Sequence, residues 1–150
     1  MEKRLIACLD EIEEVAKEIL KIISDFESKS SIVLLNGDLA SGKTTLTKEI
    51  VRLKGYDKEV TSPTFSLEHI YGDGDNIFHY DLYRVGFDDL VNLGLIDGFE
   101  RYGIHIVEWA DTKLKSFLLE AEFKIVEVNI SPKDDCREYL IFNCKKLCIN

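Results

Sequence analysis

At 150 residues, 45% apolar and 31% charged with two prolines, the chain has the size and composition of one folded domain rather than a disordered segment. Its formal net charge of −9 argues against stand-alone binding of nucleic acid, because that affinity rests on Lys and Arg neutralising phosphates. No apolar run approaches the roughly 18 residues of a membrane span, and the N-terminal run is too short for a signal peptide, so a cytoplasmic protein with no membrane contact is expected.

In chain order, Leu5, Leu9, Ile12, Ala16, Ile19, Leu20, Ile23 and Phe26 recur at spacings of three and four and predict a long amphipathic helix. Ser31-Ile32-Val33-Leu34-Leu35 reads as a buried strand running straight into glycine. Residues 44–54 predict a helix with Leu46, Ile50, Val51 and Leu53 on its apolar face, ended by Gly55. Residues 65–71 and 77–82 read as two strands of a hairpin, joined by Gly72-Asp73-Gly74-Asp75-Asn76. A short helix follows over 87–95, then a second buried strand, Ile104-His105-Ile106-Val107, ending at Glu108-Trp109.

Asp111 can cap a helix that carries Leu114, Phe117, Leu118 and Leu119. Two closing strands, 123–130 and 137–142, are joined by Ser131-Pro132-Lys133-Asp134-Asp135. No repeat, linker or low-complexity segment divides the chain, so a single α/β domain over 1–150 is expected. Cys8, Cys136, Cys144 and Cys148 form no Cys-x-x-Cys pair and lie far in sequence from the three histidines. Four reduced thiols are expected, with no zinc site.

Gly37-Asp38-Leu39-Ala40-Ser41-Gly42-Lys43-Thr44 fits the pattern G-x-x-x-x-G-K-[ST] of a phosphate-binding loop, and it lies between an apolar strand and a helix. The helix after such a loop offers unpaired N–H groups and the positive end of its dipole to an anion. ATP with Mg²⁺ is the expected ligand. The N–H groups around Leu39 to Thr44 would cradle the phosphates. Lys43 would reach the β and γ oxygens, and the Thr44 hydroxyl would hold Mg²⁺. A further acidic ligand for the ion is expected at a neighbouring strand end, where Asp81 and Glu108 are both candidates.

His79 and His105 lie in apolar strands and read as core histidines; Trp109 is the sole tryptophan and follows Glu108. The elements Asp-x-x-Gly and Asn-Lys-x-Asp of GTPases are absent, as is the Leu-Ser-Gly-Gly-Gln of transporter ATPases. A small-molecule kinase is the alternative enzyme class. It lacks an arginine-rich lid, since Arg52, Arg84 and Arg101 are scattered and none is an obvious finger. A nucleotide-gated binding module without catalysis is a third class.

Four segments occur in the order and spacing of the TsaE family, which the chain resembles over roughly residues 10–142: the loop from Gly37 to Thr45, Thr61-Ser62-Pro63-Thr64-Phe65, His79-Tyr80-Asp81-Leu82-Tyr83-Arg84, and Val107-Glu108-Trp109. These are bacterial ATPases of threonylcarbamoyladenosine tRNA modification. The resemblance implies a P-loop NTPase fold, with a central, largely parallel sheet flanked by helices and with antiparallel edge strands. It implies ATP bound by Asp38, Leu39, Ala40, Ser41, Gly42, Lys43, Thr44 and Thr45, and Mg²⁺, the one metal expected, held by Thr44 and Glu108. Lys43, Asp81 and Glu108 would be the catalytic residues, with Asp81 needed for hydrolysis, and residues 62–65 would form a switch-like loop. The implied partners are TsaD and TsaB homologues, with tRNA reached only through their complex. The chain departs from the family in carrying Ala40-Ser41 where Gly-Ala is usual, and Ile12 where a threonine beside the base is usual, so that base contact does not carry over.

Overall fold

The computed structural model describes residues 2–56, 60–61, 67–72 and 76–144. Strand β1 (Glu2–Ala7) leads through a 3₁₀ turn, Leu9–Glu11, into helix α1 (Ile12–Ser24), strand β2 (Ser30–Asn36) and helix α2 (Lys43–Leu53). Next come the hairpin β3 (Glu68–Tyr71) and β4 (Asn76–Asp81), the short helix α3 (Phe87–Asn92), and a 3₁₀ turn, Ile96–Glu100. Strand β5 (Gly103–Glu108), helix α4 (Thr112–Glu120) and the hairpin β6 (Lys124–Lys133) and β7 (Cys136–Cys144) complete the chain.

The seven strands form one sheet in the order β1-β7-β6-β2-β5-β4-β3. Strands β6, β2, β5 and β4 run parallel, while β1, β7 and β3 pair antiparallel outside them. This is the expected mixed sheet. Strand β2 is buried on both faces because it is central, and its side chains alternate between two cores. Val33 and Leu35 face α1 and α2, against Val15, Ile19, Leu46 and Ile50. Ile32 and Leu34 face the opposite layer, with Phe78, Phe99, Leu114 and Leu118. Asp111 caps α4 as expected, its carboxylate accepting from the Leu114 N–H. No helix among the described residues is long and apolar enough to cross a membrane.

The N-terminal helix is shorter than its periodicity implied. Residues 2–7 are a strand, and the α-helix begins at Ile12. Leu5 and Ala7, two apart, share one face of the strand, and pairing with β7 supplies backbone bonds that an added helical turn would otherwise make locally. Strand β1 then aligns Ala7 with Arg137, which puts Cys8 beside Cys136. The two are joined as a disulfide, so the expectation of four thiols is corrected.

The closing hairpin is also longer than expected, running to Lys133 and resuming at Cys136, with Asp134-Asp135 as its turn. Pro132 is tolerated because the pairing of β6 with β2 ends at Asn129, leaving no ladder partner for the missing N–H.

Candidate functional site

The C-terminal ends of β2, β5 and β4 lie side by side, and each delivers one part of a cleft of about 550 Å³. From β2 the chain turns through residues 37–42 into α2. Two backbone features make this turn. Gly42 has φ +102°, and a Cβ there would come within 2.3 Å of the Arg137 Nη1. A Cβ on Gly37 would lie 2.5 Å from Ser41 Oγ and 2.9 Å from the Ile130 carbonyl oxygen. The first helical hydrogen bond of α2 runs from Leu46 N to Gly42 O. The N–H groups of Lys43, Thr44 and Thr45 therefore precede the intrahelical ladder, at the positive end of the helix. Ser41 Oγ is buried with no hydrogen-bond partner among the described residues. A turn of this kind is a cradle for an anion.

Strands β4 and β5 contribute carboxylates at the same level, since Asp81 and Glu108 are register partners. Glu108 is 3% exposed. Its Oε2 accepts from Thr44 Oγ1 at 3.3 Å and is hydrogen-bonded to His79 Nε2. Asp81 Oδ1 accepts from the Tyr83 N–H at 3.0 Å, which turns the chain after β4. The hydroxyl of Thr44 and the carboxylate of Glu108 are hard oxygen donors in contact, a set that could hold Mg²⁺ with its remaining positions open to phosphate and water.

Lys43 is 5% exposed and is held by the loop itself: its Nζ donates to the carbonyls of Gly37 and, at 3.3 Å, of Asp38. The same ammonium lies 3.7 Å above the Trp109 ring. Trp109 has φ +63° and meets Tyr83 edge-on at 4.9 Å. Burial lowers the Lys43 pKa, while the charges of Glu108, Asp81 and Asp38 oppose that fall. A lysine gripped by carbonyls and an aromatic face is poised to exchange them for a stronger anionic acceptor.

Leu39, Ala40, Ser41, Gly42, Lys43, Thr44, Thr45, Asp81 and Glu108 all line this cleft. Asp38 does not; it offers its carbonyl to Lys43 from an exposed position. Ala40 stands at φ +61° and is accommodated in the turn, so a side chain at this position is compatible with the loop shape. Ile12 is packed in the α1 core and does not line the cleft. Of the expected switch segment, residues 62–65 lie outside the described residues.

Three contributions were not read from the sequence. His79 is the buried histidine that its apolar strand implies, and it also bonds the Glu108 carboxylate. A signal existed, because His79 and Asp81 are two apart on one strand and so share a face. Arg84 and Arg137 line the cleft as well. Nothing local marks Arg137, which arrives through the β7–β6–β2 sheet order.

The profile of the family described as "Threonylcarbamoyl adenosine biosynthesis protein TsaE" matches residues 6–139. The tRNA threonylcarbamoyladenosine biosynthesis protein TsaE of Haemophilus influenzae is 38% identical over 124 residues, covering 81% of this chain and 74% of that protein. The Bacillus subtilis protein of the same description is 39% identical over 98 residues, covering 65% of this chain and 61% of its own length. Among solved structures, that of Bacillus subtilis YdiB superposes with a TM-score of 0.63 at 28% identity, over 94% of this chain and 86% of that one. With the profile spanning most of the chain, the protein belongs to the TsaE family, whose members serve the biosynthesis of threonylcarbamoyladenosine in tRNA.

Proposed function

We propose that the chain is a single-domain, Mg²⁺-dependent ATPase of P-loop NTPase fold. It powers threonylcarbamoyladenosine modification by acting with TsaD and TsaB homologues and does not itself modify tRNA. The observation that carries this reading is the convergence of the Lys43 ammonium, the Thr44 hydroxyl and the Glu108 carboxylate at the mouth of one N–H-lined turn. The orphaned Ser41 Oγ supports it, being a buried polar atom that a phosphate oxygen would satisfy.

Each residue has a role that follows from its position. The amides of residues 39–45 and Lys43 bind the triphosphate and oppose the charge that builds on the transferred phosphoryl group. Thr44 and Glu108 would hold Mg²⁺, which when bound neutralises phosphate oxygens and fixes their geometry. Asp81, level with Glu108 on the next strand, orients the attacking water and accepts its proton. His79 keeps the Glu108 carboxylate in its rotamer. The net charge of −9 agrees with tRNA being reached through partners rather than directly.

Calorimetric titration with ATP, with and without Mg²⁺, tests the assignment. One site is expected, tightened by Mg²⁺ and lost in Lys43→Ala. Absence of ATP binding by the wild-type chain in the presence of Mg²⁺ would falsify it.

A further inference from the structure

The chain has five arginines. Three are engaged by carboxylates: Arg4 by Glu138, Arg52 by Glu49 and Glu13, and Arg101 by Glu68. No carboxylate among the described residues forms a salt bridge with Arg84 or Arg137, and these two are the arginines that line the cleft. In a chain with 28 acidic residues, that puts two arginines without a carboxylate ion pair among the described residues beside Lys43 in one cleft.

Of the two, Arg137 is the better fixed. It lies on β7, paired with Pro132 on one side and Ala7 on the other, whereas Arg84 is exposed on the segment after β4. Two positions along the same strand stands Tyr139, which is 1% exposed, so the strand that carries Arg137 is anchored in the core. The Arg137 guanidinium lies against Gly42: a Cβ there would sit 2.3 Å from Nη1 and 3.3 Å from Nε. Gly42 immediately precedes the exposed N–H groups of α2.

We propose that Arg137 is a nucleotide-binding residue whose guanidinium takes the phosphates nearest the nucleoside, on the wall opposite Asp81 and Glu108. The inference rests on the nucleotide site proposed above. Sheet order supplies the direction: Glu108 and Asp81 come from the strands one and two places from β2 on one side, and Arg137 comes from the strand two places away on the other. If the acidic wall holds the metal and the terminal phosphate, Arg137 faces the end of the polyphosphate that ATP and ADP share. A fork of N–H donors suits phosphate oxygens, and a residue paired on both sides within the sheet brings it from a fixed backbone position.

The test is calorimetric affinity for ATP, ADP and inorganic pyrophosphate in wild type, R137A, R137Q and K43A, with thermal unfolding to verify folding. R137A is expected to weaken ATP and ADP by the same factor, about 10- to 100-fold for a charge-assisted hydrogen bond, and to weaken pyrophosphate as well. R137Q keeps most of the length and an N–H donor but not the charge, and should lose as much. Wild-type affinity in R137Q alongside a loss in R137A would assign a packing role and overturn the proposal. So would unchanged ADP affinity in R137A while K43A loses it, or a loss confined to ATP. Unchanged binding in both R137A and K43A would overturn the nucleotide-site reading as well, which separates the two failures.

Discussion

His79 Nε2 and Glu108 Oε2 are hydrogen-bonded in the interior of the sheet, between side chains that are 0% and 4% exposed. Glu108 also meets the Thr44 hydroxyl, so one carboxylate links a histidine on β4 to the start of α2. A buried carboxylate stays oriented only while its acceptor sites are engaged.

Removing the histidine should therefore act on the metal before it acts on the nucleotide. His79→Ala is expected to lower the affinity for Mg²⁺ in the presence of ATP by about 10- to 100-fold, the usual effect of losing a residue that orients a ligand. Binding of ATP without Mg²⁺ should change little. Titration of Mg²⁺ at saturating ATP measures the first quantity, and an unchanged midpoint would contradict the positioning role.

Asp81 and Glu108 stand level on adjacent strands but differ in surroundings, so their variants should differ. Glu108→Gln should weaken Mg²⁺-dependent binding. Asp81→Asn should leave binding of ATP and Mg²⁺ near wild type and slow hydrolysis by about 10²- to 10⁴-fold, the range for losing a general base. Parallel titrations and phosphate-release rates distinguish them. Identical defects in both variants would mean the two carboxylates share one role.

The Lys43 ammonium lies 3.7 Å above the only tryptophan in the chain. If phosphate draws Lys43 from the ring, Trp109 fluorescence should change on addition of ADP or ATP. The Lys43→Met chain should show no such change at any nucleotide concentration. An unaltered wild-type signal at saturation, with binding verified by calorimetry, would show that Lys43 remains on the ring.

A fourth expectation concerns stability and not the site. His105 is fully buried beneath Phe78, hydrogen-bonded to Tyr80 Oη at 2.7 Å and to the Arg101 carbonyl at 2.9 Å. Burial lowers its pKa from 6.5 to about 4, against a raising effect of the Arg101 carbonyl. Between these values the unfolded chain binds a proton that the folded chain does not, so folding is fully favoured above 6.5 and loses stability as pH falls toward 4. The span corresponds to about 3 kcal/mol at roughly 1.4 kcal/mol per pH unit. Denaturant unfolding from pH 7 to pH 4 should show this slope, and His105→Gln should flatten it. A wild-type slope in the variant would place the effect elsewhere.

Much of this arrangement was legible in the sequence because it is local. The glycine turn between an apolar strand and a helix is one continuous segment, and the acids after Ile77-Phe78-His79-Tyr80 and Ile104-His105-Ile106-Val107 mark strand ends by their change of polarity. What was not legible depends on strands far apart in sequence. Residues 2–7 become a strand only because β7 presents an edge 130 positions on, and with a helix assumed there the closeness of Cys8 to Cys136 could not be seen. Arg137 reaches Gly42 for the same reason. His79 could be placed on the Asp81 face, but its bond to Glu108 needed β4 and β5 to be neighbours.

The most direct test of the account is phosphate release from ATP in Mg²⁺, measured for the chain alone and with TsaD and TsaB homologues. Wild type should hydrolyse ATP slowly alone and faster with the partners, with Lys43→Ala and Asp81→Asn losing the partner-stimulated rate. A rate that the partners leave unchanged would contradict the partner-dependent ATPase, as would hydrolysis that survives Lys43→Ala.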